Sequence, residues 1–88
     1  MSTVSNPGYH VSHIEKGELG ELSKIQEELS EAFDAQNQNA KIMVLVELSD
    51  MVGALEAYLS KHHPGTTLED LKTMASITQR AFASGRRS

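Results

Sequence analysis

Two pairs of acidic residues at matching spacing hold most of the chemistry available to this chain: Glu28 with Glu31, and Glu47 with Asp50. Side chains three apart on a helix share one side of it, so each pair presents two carboxylates together. The second pair has the more unusual setting. It lies within residues 41–59, KIMVLVELSDMVGALEAYL, whose apolar side chains run nearly all the way round a helical wheel. A helix apolar on every side expects burial on every side. An ionised carboxylate taken out of water is costly unless something compensates it. The chemistry therefore turns on what balances Glu47 and Asp50.

The elements that must position these acids can be read from the periodicity. From Glu21 the pattern is helical, and Leu22, Ile25, Leu29 and Phe33 recur at three- and four-residue steps as a core stripe. Glu28 borders that stripe, Glu31 lies one helical step further round, and Glu27 points more to the far side. The segment 34–39, DAQNQN, is polar, and residues 37–39 suit a turn between antiparallel helices. The central helix starts near Ala40 and ends near His62, where His63, Pro64 and Gly65 stop it. Gly53 inside it suits close approach of another backbone. A third helix starts at Thr66 or Thr67, since Thr66 with Glu69 and Thr67 with Asp70 both have capping-box spacing. Its stripe is Leu68, Leu71, Ala75 and Phe82, with Met74 at the edge, and Gly85 ends it.

The expected fold is all-α: a three-helix chain, with room for an extra N-terminal turn, forming a helical bundle completed by oligomerisation. Its parts are an N-terminal lead-in at 1–16, a helical domain at 17–85 and a basic tail at 86–88. With 88 residues the core of one chain is marginal, and the all-round apolar helix calls for a homodimer or homotetramer. A net charge of -4 argues against a nucleic-acid duplex as partner. No run is long enough for a membrane span, and the N-terminus lacks a signal-peptide pattern. The absence of cysteine fits a reducing compartment, so a cytoplasmic protein is expected.

A short turn makes the first two helices antiparallel neighbours, which places 28–31 opposite 47–50. Carboxylates gathered in this way stay ionised together only around a cation. The donors are all oxygen, so magnesium fits best, with manganese as the alternative. Ordinary salt bridges to Lys24, Lys41 or arginines are the competing account. They serve Glu28 and Glu31 well, but not Glu47 and Asp50, because the central helix has no lysine or arginine between Lys41 and Lys61.

The stretches QEELSEAFDA and VELSDMVGALEAYL, and more weakly TLEDLKTMASITQRAF, resemble the signature of the all-α nucleoside triphosphate pyrophosphohydrolases. That superfamily includes the MazG proteins, the dimeric dUTPases and phosphoribosyl-ATP pyrophosphohydrolase. The resemblance implies that Glu28, Glu31, Glu47 and Asp50 are magnesium ligands. It also implies cleavage of a nucleotide between its α- and β-phosphates to a monophosphate and pyrophosphate. Glu27 is the spare carboxylate, a candidate to position or deprotonate the attacking water, although its wheel angle equally fits a solvent-facing role. Family members often carry an asparagine after the second acidic pair, whereas here that stretch reads MVGALEAYL. Lys24, Lys72 and Arg80 are the candidates to hold substrate phosphate charge, with Lys41, Arg86 and Arg87 as further basic residues. Tyr9, His10, His13 and Phe33 are the residues able to stack on or edge a base, with no base preferred. The alternative function is a non-catalytic helical oligomerisation or interaction module.

Overall fold

The structure, a computed structural model, describes residues 10 and 12–83, the last three of them by backbone alone. Residues 1–9, 11 and 84–88 lie outside the description. Most of the expected lead-in, Tyr9, Gly85 and the basic tail with Arg86 and Arg87 therefore fall outside it, as does the Phe82 side chain.

Three helices are present, as expected: α1 (Leu22–Asn37), α2 (Lys41–His62) and α3 (Leu68–Ala83). Among the described residues there is no strand. The α1–α2 turn explains the hairpin. Asn39 takes a left-handed φ of 59°, a conformation asparagine tolerates better than most residues. The Ala40 N–H then reaches back to the Ala35 carbonyl at 2.9 Å, and the Asn39 N–H to the Gln36 carbonyl at 3.0 Å. This is the double hydrogen bond of a Schellman cap, built on asparagine instead of glycine. At the other end of the hairpin Glu21 holds Lys61, and its second oxygen lies 3.0 Å from His62 Nε2. The start of α1 is thereby tied to the end of α2, which fixes the antiparallel register.

The start of α3 is also as read from sequence, and the structure selects Thr67 as its cap. The Thr67 N–H donates to Asp70 Oδ2 at 2.9 Å, and the Asp70 N–H donates to Thr67 Oγ1 at 3.2 Å. Helix α3 approaches α2 over a short stretch, and none of its Cα atoms comes within 8 Å of one in α1.

The packing inside one chain differs from expectation. On α1 the buried residues are Glu27, Glu28, Ala32, Asp34 and Ala35. Of the predicted stripe, Leu22, Leu29 and Phe33 are exposed and Ile25 is half-buried. Small side chains are the apolar ones buried between the two helices: Ala32 and Ala35 on α1 and Ala54 on α2. On α3, Leu68 and Leu71 are half-buried but Ala75 is exposed. The buried apolar set of the described residues is Ala32, Ala35, Ala54 and Leu59 alone. Helix α2 leaves Ile42, Leu45, Val46, Leu48 and Val52 exposed. On the helical wheel these five occupy the side opposite Glu47 and Ala54. Gly53 lies on that outer side, and among the described residues nothing beyond its own helix backbone and chain neighbours comes within 4 Å of where its Cβ would stand.

Candidate metal centre

The hairpin brings the two acidic pairs together. Glu28, Glu47 and Asp50 each place a carboxylate oxygen within 4.8 Å of the others, and so do Glu27, Glu28 and Glu31. Glu31 also meets Glu47, in a third group completed by His10. Glu28 and Glu47 are buried, Glu31 is half-buried and Asp50 is exposed. The cluster is thus closed at its base and open along the Asp50 side.

Its electrostatics are those of crowded acids. Burial pushes the Glu28 carboxyl up to about 7, helped by the adjacent Glu31 and Asp50 and opposed by Lys24. As a carboxylic acid Glu28 could donate to Glu31; as a carboxylate it cannot. Its Oε1 is buried with no hydrogen-bond partner among the described residues. Glu47 is also raised, by burial first and by the neighbouring Asp50 second. Both shifts have burial as their first cause and a neighbouring carboxylate as the next.

Glu27 behaves differently, and the expectation that it faces solvent needs correction. It is 4% exposed, not solvent-facing, because the backbone before α1 folds across it. The Gly17 N–H donates to Glu27 Oε1 at 2.8 Å, Lys24 Nζ is 3.1 Å from the same oxygen, and Lys16 Nζ is 3.6 Å from Oε2. Burial opposes its ionisation, but Gly17, Lys24 and Lys16 outweigh burial and hold the carboxyl below its ordinary range. A carboxylate so well supplied with donors is a weak base, which counts against a proton-abstracting role.

Gly17 makes this arrangement possible, since a Cβ there would stand 2.1 Å from the Ser23 carbonyl oxygen. Gly17→Ala is therefore expected to lower stability by about 1–3 kcal/mol. A chemical-denaturation midpoint equal to wild type would show that the segment does not seat on Glu27.

The basic residues are distributed unevenly. Lys24 is engaged by the acids, 3.1 Å from Glu27 and 3.4 Å from Glu28. Burial disfavours its ammonium, but Glu27 and Glu28 more than compensate and keep it charged. It is the salt bridge expected under the competing account, and it reaches only the α1 acids. Lys72 is exposed on α3 and paired with Glu69 at 3.1 Å. Arg80 is exposed near the end of α3. The chain on its own brings neither of these two into the ion pairs of the acidic cluster.

Asp34 was not among the residues singled out by sequence. Read as part of a polar connection, it is instead a buried member of α1, 3% exposed. Its Oδ2 lies 2.8 Å from His10 Nδ1 and accepts from Gln38 Nε2 at 3.0 Å, while its Oδ1 accepts from the Ser12 N–H at 3.2 Å. The signal was present in the spacing: Asp34 stands three residues beyond Glu31 and continues the same acidic row.

Compared with protein-family models, curated proteins and solved structures, the chain matches none. The functional argument therefore rests on the residues themselves and on the motif resemblance.

Proposed function

We propose that the chain is a metal-dependent nucleotide pyrophosphohydrolase, cleaving a nucleoside triphosphate or related nucleotide between its α- and β-phosphates. The observation that supports this best is the buried Glu28 Oε1, which lacks a donor and sits among Glu31, Glu47 and Asp50. A purely structural cluster would match each buried oxygen to a donor, as the chain does for Glu27. A hard divalent cation suits the all-oxygen set, magnesium first and manganese next. Glu28, Glu31, Glu47 and Asp50 are the residues that would hold it.

When bound, such an ion supplies charge neutralisation for phosphate oxygens and a water of lowered pKa. The remaining roles fall to the chain. Glu28 and Glu47 fix the base of the site through their burial, and the exposed Asp50 faces the open side where a polyphosphate can arrive. Lys24 holds Glu27 and Glu28 in place more than it awaits substrate. Phosphate charge not met by the ion falls to Lys72 and Arg80, which need a second copy of the chain to bring them near.

That second copy follows from packing. The four buried apolar residues among those described, three of them alanines, do not make a core for a domain of this size. The outer side of α2, with Gly53 permitting close approach, together with Leu29 and Phe33 of α1, is the surface a homodimer or homotetramer would cover. The same surface also favours the alternative, a non-catalytic oligomerisation module.

Incubation with magnesium and a panel of nucleoside triphosphates, deoxy and modified ones included, separates the two. Pyrophosphate release that Glu47→Ala abolishes, with helicity retained, is the expected result. No release from any nucleotide, with no magnesium-dependent nucleotide binding, would favour the module.

A further inference from the structure

We propose that His10 is a nitrogen ligand for the divalent cation, held ready by Asp34. The proposal rests on the metal reading above and extends it to a residue that the acidic motif does not contain.

The geometry has three parts. Asp34, its side chain 2% exposed, lies 2.8 Å from His10 Nδ1. Asp34 is itself anchored by the Ser12 N–H and the Gln38 side-chain amide, so the imidazole is oriented by a fixed carboxylate. A hydrogen bond at Nδ1 places the ring proton there and directs the Nε2 lone pair the opposite way. In that direction lies Glu47, with Nε2 3.5 Å from Oε2. Finally, His10, Glu31 and Glu47 bring ligand atoms within 4.8 Å of one another. Ligand atoms bound to one ion at about 2.0–2.2 Å stand roughly 3–4.4 Å apart, so a cation would draw these atoms slightly closer than their 4.8 Å limit.

A carboxylate on the far nitrogen of a metal-binding histidine is a recurrent device: it fixes the tautomer and raises the basicity of the ligating nitrogen. Glu47 belongs both to this group and to the set with Glu28 and Asp50, so the histidine adjoins the all-oxygen site. An imidazole donor shifts preference from magnesium toward first-row transition ions, of which manganese is the hardest and nearest to magnesium in its liking for oxygen. The competing account is an imidazolium bridging Asp34 and Glu47 with no role toward metal.

Manganese alone, without nucleotide, is the probe. Loss of the free-ion electron paramagnetic resonance signal measures binding, and electron spin-echo modulation reports an imidazole nitrogen on the bound ion. The wild-type protein is expected to bind manganese and show that modulation. His10→Gln should lose the modulation while keeping its helical circular dichroism, and should narrow the manganese-over-magnesium preference. Asp34→Asn should keep the modulation but bind about 10–100-fold more weakly. Tight manganese binding by wild type without nitrogen modulation overturns the role of His10 and leaves the carboxylate site standing. No manganese binding overturns both.

Discussion

Glu28→Gln is expected to stabilise the metal-free protein and to remove its response to divalent cations. The two effects have one cause. Glu28 is 6% exposed, its Oε1 has no donor, and Glu31, Glu47 and Asp50 crowd it. Its carboxyl is raised from 4.5 to about 7, above its value in the unfolded chain. The folded protein therefore binds this proton more tightly than the unfolded chain does. The stability this contributes is fully present below about pH 4.5 and is lost as the pH rises through about 7. Glu47, raised in the same direction, adds to the trend. A shift of this size is worth at most about 3.5 kcal/mol, and solvent on the Asp50 side reduces it, so a gain of about 1–2 kcal/mol at pH 8 is expected for the glutamine variant. Between pH 5 and 8 the metal-free wild type should lose midpoint temperature, and the variant should lose less. Magnesium or manganese should restore the wild type at pH 8 and leave the variant unmoved. Pyrophosphate release should fall by at least about 100-fold, the scale of losing one group that stabilises charge at a reacting centre. A variant no more stable than wild type in chelator, and equally responsive to magnesium, would show that Glu28 does not face a cation.

How far these features could be read beforehand depends on which forces set them. The meeting of Glu28, Glu31, Glu47 and Asp50 was legible because it needs only helical spacing and a short turn, and both are local properties. The cap at Thr67 and the stop around Pro64 and Gly65 were legible for the same reason. The buried face of α1 was not. A wheel weighs Leu22, Leu29 and Phe33 as core, but inside one chain the buried residues of α1 are alanines and carboxylates. Periodicity ranks side chains by hydrophobicity, and it cannot tell which of two faces is covered by the same chain. Glu27 was misplaced for a related reason: its burial comes from backbone at Gly17, ten residues away and outside the helix. The link from Asp34 to His10 spans 24 residues and leaves no periodic trace.

Leu45→Glu combined with Val52→Glu is expected to break the assembly, and the fold of the single chain with it. The two positions are seven apart, almost two full turns, and so lie on one side of α2. They are 66% and 41% exposed in the isolated chain, beside Ile42, Val46 and Leu48. Covering a leucine or valine contributes about 1.5–3 kcal/mol, and a two-fold interface counts each residue twice. Removing both contributions and adding carboxylates to an apolar contact should weaken self-association by on the order of 10⁴-fold or more. Light scattering should give a mass that is a multiple of the chain for wild type and that of a single chain for the variant. The buried apolar set within one chain is so small that the variant should also lose cooperative unfolding, whereas a matched control on the exposed polar side, Glu69→Gln, should lose neither. A wild type that runs as a single chain at tens of micromolar and still unfolds cooperatively would mean that the apolar side of α2 is not covered by a copy of itself. The catalytic reading would then have to find its phosphate-binding charge within one chain. Lys24 is already committed to the acids, so that burden would fall on Lys72, whose exposed pair with Glu69 is weak, on Arg80 and on the residues beyond it.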